Sequence, residues 1–323
     1  MIVVTGGAGF IGSALVAKLN GEGIKDIIVV DSLGHEQKWQ NLNGKKFYDY
    51  YHKSRFLNLI EEDALDFNVD CVVHMGACST TTATDAEYVM SNNYAYTKVI
   101  ADWALDNGAR FIYASSAATY GDGSLGYEDT ESIVSSLKPL NLYGFSKNAF
   151  DICACDTKAI EHMVGLKFFN VYGPNEYHKG DQASIAFKGY DEIKKSGAIK
   201  LFKSHNSNYK DGEFYRDFVY VKDCVDVINW LINNKSVNGL YNLGTGKAST
   251  WNQLAKSLFA AMKLPENIQY IPMPEKLQNQ YQYFTEAKMD KLAKAGCPIK
   301  MRTIEAGIED YVSNHLSKPN RYW

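Results

Sequence analysis

Long apolar runs are absent from this 323-residue chain, and none approaches the roughly 20 residues of a membrane-spanning helix. The opening MIVVTGGAGFIGS lacks the basic region and following apolar region of a signal peptide. The formal net charge is −3, so no excess of positive charge favours nucleic acid or anionic lipid. We therefore expect a cytoplasmic protein with neither a nucleic-acid nor a membrane partner.

Cysteine is also sparse, with six residues and no CxxC pair. That number is too low for a disulfide framework in a chain of this length, and free thiols in a reducing cytoplasm are expected. Cys153 and Cys155 have no second Cys/His pair to complete a metal site. We expect no bound metal.

The order of the elements predicts an α/β fold. Short apolar strands at 2–5, 27–31, 71–74, 111–115 and 164–170 alternate with helical patterns at 11–19, 87–106 and from 143 onward. Such alternation is typical of a Rossmann-type, doubly wound parallel sheet. We predict an NAD(P)-binding domain over 1–171 and a smaller C-terminal α/β substrate-binding lobe over 172–323. Residues around 218–244 are expected to return to the first domain.

The sequence TGGAGFIG at 5–12 follows the first strand and opens the first helix. Its Gly6, Gly9 and Gly12 allow a tight turn and a close approach to a pyrophosphate, which the helix N-terminus then faces. Asp31 ends the second strand, 19 residues after Gly12, where a carboxylate usually binds ribose hydroxyls. The order strand, glycine loop, helix and acidic residue predicts dinucleotide binding.

The form of the dinucleotide stays open on the residues alone. The carboxylate of Asp31 favours NAD, because it repels a 2′-phosphate. Lys38 and Lys53 follow it and can neutralise that phosphate, although both are equally compatible with solvated surface positions. NADP and NAD are therefore both retained.

A second motif, YGFSK at 143–147, places Tyr143 and Lys147 on one face of a helix. A free tyrosine has a pKa near 10, and a neighbouring ammonium group favours its phenolate and a role as base. Ser116 ends the fourth predicted strand, at the sheet edge where open α/β sheets bind ligands. The serine can hydrogen-bond a reacting hydroxyl or carbonyl group.

These three elements resemble the extended short-chain dehydrogenase/reductase superfamily over essentially the whole chain. Further blocks narrow the resemblance: HMGACSTT at 74–81, NNYAYTK at 92–98, ASSAATYG at 114–121, FFNVYGPNEYHKG at 168–180, RDFVYVKD at 216–223, YNLGTG at 241–246 and YQYFTEA at 281–287. Together they resemble the ADP-L-glycero-D-manno-heptose 6-epimerase family, and the combination of GACS with HKG is the most discriminating.

The resemblance implies an NADP-dependent isomerase of lipopolysaccharide core synthesis that acts on an ADP-heptose. Its members oxidise the C6 hydroxyl to a ketone and return the hydride to the other face. It implies a homo-oligomer, a pentamer. The implied catalytic residues are Tyr143, Lys179, Ser116 and Lys147. Lys179 alone reads as an ordinary loop lysine, and only its HKG context indicates a second acid/base, which burial or a neighbouring charge would tune.

The resemblance also implies two sets of binding residues. The cofactor set is Gly6, Gly9, Phe10, Ile11, Gly12, Asp31, Ser32, Lys38, Lys53, Met75, Gly76, Ala77, Cys78, Ser79, Asn92, Lys147, Val171 and Lys179. The substrate set is Ser116, Asn170, Asp181, Lys188, Phe202, Lys203, Ser204, His205, Arg216 and Tyr281. Arg216 suits a diphosphate, because a guanidinium donates two parallel hydrogen bonds.

Four positions depart from the family pattern: Met75 for an acidic residue, Lys167 for arginine, Asp181 for serine and Lys188 for histidine. Asp181 and Lys188 lie in the expected substrate loop, where they bear on sugar recognition rather than on hydride chemistry.

Three other functions were weighed. A 4,6-dehydratase commonly has an Asp-Glu pair after the strand-end serine, where this chain has Ala117 and Ala118. A nucleotide-sugar 4-epimerase needs a single tyrosine base and stays the main alternative. A non-catalytic redox sensor can lose the tyrosine or lysine, and both are present here.

Overall fold

The structure is a computed structural model that describes residues 1–34, 37–278 and 282–323. Its strands are β1 (Ile2–Thr5), β2 (Ile27–Asp31), β3 (Asp49–His52), β4 (Cys71–His74), β5 (Arg110–Ser116), β6 (Met163–Phe168), β7 (Asn170–Tyr172), β8 (Ile199–Phe202), β9 (Tyr215–Arg216), β10 (Phe218–Tyr220), β11 (Gly239–Leu243), β12 (Ser249–Thr250) and β13 (Ile268–Ile271).

The α-helices are α1 (Phe10–Gly21), α2 (Lys53–Glu61), α3 (Ala86–Met90), α4 (Tyr96–Asp106), α5 (Leu142–Asp156), α6 (Ile185–Ser196), α7 (Val221–Asn233), α8 (Trp251–Met262), α9 (Glu275–Gln278), α10 (Asp290–Lys294) and α11 (Ile304–Tyr311). Short 3₁₀ segments span Gln37–Leu42, Ala117–Tyr120, Glu131–Ser136, Ala159–His162 and Tyr177–Gln182, and π-helical turns span Ser91–Ala95 and Val312–Leu316. Within the described ranges, no helix has both the length and the apolarity to cross a bilayer.

The main sheet has seven strands in the order β11-β6-β5-β4-β1-β2-β3, and every neighbouring pair is parallel. The predicted doubly wound α/β fold is thereby confirmed. The strand order reverses between β1 and β4, and ligands of open α/β sheets bind in the crevice at such a reversal, beyond the carboxyl ends of the strands.

Helices cover both faces of this sheet, which explains why its strands read as nearly continuous apolar runs. The buried side chains of α1 and α7 share one apolar core with the sheet, and those of α2, α4 and α5 share the other. A third core joins α6, α8 and α11 to β8. The first two cores contain residues of β1, β4 and β5 and hold these strands in fixed relation.

The path of the later chain segments is woven between these layers. β11 pairs with β6 in the main sheet, and α7 shares its core with α1. β8 and β13, by contrast, form a small separate sheet beside the third core. Residues after 172 thus contribute to the main sheet as well as to the layer around α6 and α8.

Several elements differ from the sequence expectation. β3 and the following α2 were not predicted. β3 is a half-exposed edge strand of sequence DYYH, which has no clear apolar alternation. The helical pattern at 87–106 contains a π-turn at Ser91–Ala95. The strand expected at 164–170 ends at Phe168, and Asn170 begins β7, which pairs with β10 instead of β5.

A buried ion pair lies where β5, α5 and β6 meet. The amine of Lys167 is 2.7 Å from a carboxylate oxygen of Asp151, and the two side chains are 1% and 0% exposed. Tyr113 and Ser115 of β5 donate hydrogen bonds of 2.9 and 2.6 Å to the same carboxylate. The Lys167 amine also donates to Thr119 at 2.8 Å. The pair is thus enclosed by groups that satisfy it.

We predict that Asp151→Asn lowers the free energy of unfolding by about 3 kcal/mol, because it leaves the Lys167 amine buried without its counter-charge. The midpoint of urea unfolding checks this. Asp102→Asn is the matched control, since Asp102 pairs with Lys98 at 2.5 Å on the surface of α4 and its loss should cost less than about 1 kcal/mol. Equal losses in the two variants would contradict the role of the buried pair.

Candidate cofactor and catalytic site

The glycine loop leaves no room for side chains at its centre. Gly6 has φ +65°, and a Cβ added there would lie 2.6 Å from the backbone nitrogen of Gly76 after β4. A Cβ added at Gly12 would lie 2.2 Å from the carbonyl oxygen of Gly6. The first turn of α1 has no acidic residue and no side-chain cap. Its free N–H groups therefore form a cradle that fits a pyrophosphate.

The carboxylate of Asp31 is held in place from three directions. It accepts hydrogen bonds from the backbone N–H of Ala8 at 2.9 Å and of Ser32 at 2.7 Å. The amine of Lys38 donates to it at 2.8 Å. The negative charge of Asp31 is therefore partly balanced, which weakens its repulsion of a phosphate.

A cavity of about 270 Å³ opens beside this carboxylate. Of the predicted cofactor residues, it is lined by Gly6, Asp31, Ser32, Lys38, Lys53, Gly76, Ala77 and Asn92. Lining residues that the sequence analysis did not select are Thr5, Val30, Leu33, Gly34, Tyr88 and Tyr96. The structure thus brings eight predicted residues from five segments to one cavity.

Lys53 and Asn92 lie together within this cavity. The Lys53 amine donates a hydrogen bond of 2.6 Å to Asn92 Oδ1. Lys38 and Lys53 both line the same cavity, and the Lys38 amine is paired with Asp31. Two amines beside one cavity provide a positive site for an anion.

The remaining predicted cofactor residues lie around the same crevice. Gly9 precedes α1, Phe10 and Ile11 open that helix, Met75, Cys78 and Ser79 follow β4, and Val171 lies in β7. Ser79 Oγ is 3.5 Å from Gln182 Oε1, at the end of the segment that carries Lys179. The loop after β4 therefore meets that segment across the crevice.

Asn93, unlike Asn92, was not among the predicted site residues. Its side chain is fully buried, with 0% exposure. Its amide accepts from the backbone N–H of Cys78 at 2.7 Å and donates to the carbonyl of Cys78 at 3.0 Å. The same amide donates to Ser146 Oγ at 2.9 Å, and Ser146 donates to the carbonyl of Tyr143 at 2.8 Å. One side chain thus ties the GACS loop to the catalytic helix.

A polar chain continues from Asn93 to the glycine-loop strand. Thr97 Oγ1 donates to the carbonyl of Asn93 at 2.7 Å and is 2.9 Å from His74 Nε2. His74 Nδ1 is 2.7 Å from Thr5 Oγ1 at the end of β1. Burial lowers the pKa of His74 to about 3, with a smaller effect from Lys147, so the imidazole is neutral. A neutral ring can accept on one nitrogen and donate on the other, as this chain requires.

Tyr143 and Ser116 lie within hydrogen-bonding contact at the end of β5. Burial raises the pKa of Tyr143, and the hydrogen bond with Ser116 acts in the opposite sense. Burial thus opposes the effect that the sequence analysis expects from a neighbouring positive charge, which favours the phenolate. Tyr143 is therefore a neutral phenol in this state, and a positive charge brought beside the ring would favour its ionisation.

Lys147 follows Tyr143 by one helical turn and is 3% exposed. Burial lowers its pKa to about 8, while the charge of Asp151 acts to raise it. At pH 7 most of the amine is therefore still protonated. A buried, largely protonated lysine one helical turn from a tyrosine is the arrangement expected of a tyrosine that exchanges protons with substrate.

Lys179 lies on the other side of the crevice, in the 3₁₀ segment Tyr177–Gln182. Its amine is 5.6 Å from the centre of the Phe10 ring, at the start of α1. Burial lowers the pKa of Lys179, and the charge of Glu176 opposes this change. Tyr143 thus stands at β5 and Lys179 beside the loop after β1, with β4 between these two strands.

Predicted substrate residues lie in β7, in β9, and at the end of β8 and after it. Asn170 lies in β7 and pairs with Phe218, and Arg216 of β9 is 7% exposed. The Arg216 guanidinium donates to the carbonyls of Tyr215 and Gln282. Phe202 ends β8, and Lys203, Ser204 and His205 follow it. Tyr283 OH lies 2.6 Å from His205 Nδ1. Tyr281 lies outside the described residues.

Two of the four departures from the family pattern contact each other. The amine of Lys188 in α6 donates a hydrogen bond of 2.8 Å to the carbonyl oxygen of Asp181. A third, Lys167, is the buried partner of Asp151. These contacts join α6 to the segment that carries Lys179, and β6 to α5.

The geometry agrees with the comparisons to known proteins. A profile described as the NAD dependent epimerase/dehydratase family matches residues 2–244, which contain the glycine loop, Ser116, Tyr143 and Lys179. The chain belongs to this family. A nicotinamide cofactor is expected of this family, and the residues of the cradle and the cavity fit such a group.

Two relatives that match over nearly the whole chain carry the same name. A protein of Nitratidesulfovibrio vulgaris (strain DP4) named ADP-L-glycero-D-manno-heptose-6-epimerase is 52% identical over 317 residues, with 98% of each chain covered. One of the same name from Fusobacterium nucleatum subsp. nucleatum is 48% identical over all of both chains. The resemblance found in the sequence motifs is thereby confirmed.

Solved structures of two epimerases share the fold of this chain. The crystal structure of the Helicobacter pylori enzyme of that name has a TM-score of 0.78 and 29% identity, covering 97% of this chain and 95% of that one. UDP-glucose 4-epimerase of Thermotoga maritima has a TM-score of 0.77 and 26% identity, covering 96% and 97%. The fold is shared with both enzymes.

We predict that Gly12→Ala weakens dinucleotide binding by at least about tenfold, equivalent to about 1.4 kcal/mol, because the new methyl group must displace the carbonyl of Gly6. Titration of NADPH and NADH by fluorescence checks this. Gly21→Ala is the control, since a Cβ at the other end of the same helix meets nothing within 4 Å. Unchanged binding in Gly12→Ala would exclude the cradle as the pyrophosphate site.

Proposed function

We propose that this protein interconverts ADP-D-glycero-β-D-manno-heptose and its L-glycero epimer at C6, using NADP. The observation that carries the proposal is the 52% identity, over 98% of both chains, to a protein named for this epimerase activity. The opposed positions of Tyr143 and Lys179 support it, because inversion at C6 requires chemistry on two faces of one carbon.

The reaction divides into two matched halves. In the first half C6 loses a hydride and its hydroxyl loses a proton, which leaves a ketone. A bound nicotinamide cofactor supplies hydride acceptance and return. The ketone presents its other face before C6 regains a hydride and its oxygen regains a proton, so atoms and electrons balance over the cycle.

Tyr143 and Lys179 exchange the hydroxyl proton in this scheme. Ser116 hydrogen-bonds Tyr143 and can also hold the reacting oxygen. The protonated amine of Lys147 supplies positive charge that favours the phenolate. A single tyrosine, as in a 4-epimerase, would serve one face well and the other poorly. The lysine beside Phe10 reaches the crevice from the β1 side and serves the second face.

NADP is favoured over NAD by the charges around the cavity. Asp31 already accepts three hydrogen bonds, one from the amine of Lys38. Lys53 contributes a second amine to the same cavity. These charges accommodate a 2′-phosphate, and binding through charge pairs to phosphate is among the stronger polar contacts in proteins.

By the same resemblance, we propose that the product serves lipopolysaccharide core synthesis in the cytoplasm and that the enzyme is a homo-oligomer, a pentamer.

We predict that the double variant Lys38→Ala, Lys53→Ala weakens NADPH binding at least tenfold more than NADH binding, because the lost amines face the 2′-phosphate. Calorimetric titration of both dinucleotides measures the ratio. Lys25→Ala, a change at an exposed lysine before β2, should alter neither affinity. Parallel losses for the two dinucleotides, or predominant release of NAD(H) on denaturation of the purified protein, would overturn the assignment to NADP.

We predict that the unmodified protein epimerises ADP-D-glycero-β-D-manno-heptose, and that Tyr143→Phe and Lys179→Met each lower kcat by roughly 10²–10⁴-fold, the usual contribution of a general acid–base group. NMR of the C6 configuration follows the reaction from either epimer. The loss of kcat in the double variant should be far smaller than the product of the two single losses, because the effects of groups that act as a unit do not multiply.

The controls separate chemistry from folding and from the alternative reaction. Tyr48→Phe, at a side chain that is 65% exposed, should leave kcat unchanged, and all variants should retain their cofactor. UDP-glucose is the competing substrate. Turnover of UDP-glucose at C4 with no change at C6 of the heptose would favour the 4-epimerase, as would a Lys179→Met variant that only raises KM.

A further inference from the structure

Glu176 is a buried carboxylate that precedes Lys179 by three residues, and its side chain is 1% exposed. One carboxylate oxygen accepts from the backbone N–H of Gly173 at 3.1 Å and from Tyr311 OH at 3.1 Å. Ser184 donates twice, from its hydroxyl at 2.8 Å and from its backbone N–H at 2.5 Å. Four donors from three parts of the chain therefore converge on one side chain.

These donors fix the segment that carries Lys179 at both of its ends. Ser184 caps the N-terminus of α6, since its hydroxyl also accepts from the N–H of Phe187 at 3.2 Å. Tyr311 ends α11 and is 0% exposed. Between these anchors, the N–H of Lys179 donates to the carbonyl of Glu176 at 3.0 Å. Movement of the lysine backbone would have to break this set.

The preceding residue, Asn175, ties the same segment to the glycine-loop helix. Its amide donates to Ser13 Oγ in α1 at 3.0 Å, and its carbonyl accepts from Asn41 at 3.0 Å. It holds φ +77° and is 0% exposed. The Lys179 segment is thus held from the cofactor side by Asn175 and from the lobe side by Glu176.

The charges near Lys179 come from several elements. Glu176 supplies the opposite charge that acts on its amine. Burial raises the pKa of this carboxyl group, and the hydrogen bonds from Ser184 and Gly173 act in the opposite sense and favour the carboxylate. Burial lowers the pKa of the adjacent His178 to about 4, with Lys179 and Lys38 acting in the same sense, so that imidazole is neutral. Burial also raises the pKa values of Tyr177 and Tyr311, and both phenols are neutral near pH 7. The carboxylate is therefore the charge that counteracts the burial of the lysine.

We propose that Glu176 is a positioning residue for Lys179, which holds the lysine segment between α6 and α11 and supplies the negative charge that acts on its amine. The inference rests on the proposed function, in which Lys179 exchanges a proton with substrate. A lysine buried without a counter-charge loses its proton at lower pH and is then less available as the acid. The carboxylate therefore sets the pH range in which both protonation states of Lys179 are accessible.

The test compares Glu176→Gln with Tyr311→Phe. The first variant removes the charge and keeps most of the side-chain shape, while the second removes one hydrogen bond to the same carboxylate and changes no charge. The full-length protein is produced with lysine labelled with ¹³C at Cε and studied by NMR. The Lys179→Met variant identifies the resonance of Lys179. Its pH titration measures the pKa directly, without turnover.

We expect Glu176→Gln to lower the pKa of Lys179 by about one pH unit, the smaller end of the effect of a nearby opposite charge. The limb of the kcat–pH profile that depends on Lys179 should move to lower pH by the same amount. Tyr311→Phe should leave both values in place, even if its thermal stability falls. An unchanged Lys179 pKa in Glu176→Gln, or an equal shift in Tyr311→Phe, would overturn the proposal.

The outcome is distinguishable from a failure of the proposed function. If Lys179→Met retained full epimerase activity, the two-base mechanism would be wrong, whereas the resonance of Lys179 would still report whether Glu176 governs its protonation. If Glu176→Gln failed to fold, Glu176→Asp supplies the second test: the charge is retained, so the pKa should stay within a few tenths of a unit. A shift as large as one unit in Glu176→Asp would contradict the electrostatic role.

Discussion

The ion pair between Asp151 and Lys167 joins the three elements on which the catalytic side depends. Burying two charges is unfavourable unless each is paired and hydrogen-bonded. Here the carboxylate accepts from β5 as well as from the lysine of β6. Because Asp151 lies on the same helix as Tyr143 and Lys147, satisfying this pair holds that helix against the strand that ends in Ser116. The contact between tyrosine and serine follows from this alignment.

The cofactor side depends on close contact between two backbone segments at the reversal of strand order. Gly6 and Gly76 lie so close that neither loop could shift independently. The polar chain from Thr5 through His74 to Asn93 then links this contact to the helix of Tyr143. The candidate cofactor crevice and α5, the helix of Tyr143, are therefore parts of one hydrogen-bonded unit, since its members are buried and could not exchange their partners for water.

The second candidate base belongs to a different unit. Lys179 is carried by a short segment whose fixed points, Asn175 and Glu176, connect it to α1 on one side and to α6 and α11 on the other. Burial acts to release its proton, and Glu176 acts to retain it. Tyr143 and Lys179 thus reach one crevice from separately anchored elements, an arrangement suited to chemistry on opposite faces of a carbon.

The sequence by itself determined the parallel sheet and the cofactor motif. The glycine loop, Asp31 and the pair Tyr143 and Lys147 are local patterns, and their chemistry depends on spacing within one strand, turn or helix. The half-exposed edge strand β3 was missed, because its DYYH sequence has no regular apolar alternation.

Only the tertiary structure decided the supporting contacts. Asp151 meets Lys167, and Glu176 meets Tyr311 across 135 residues of sequence, because the order of the strands brings distant segments to one place. The direction of the Tyr143 pKa also came from the fold, since burial is a property of everything packed around the ring and not of its neighbours in the chain.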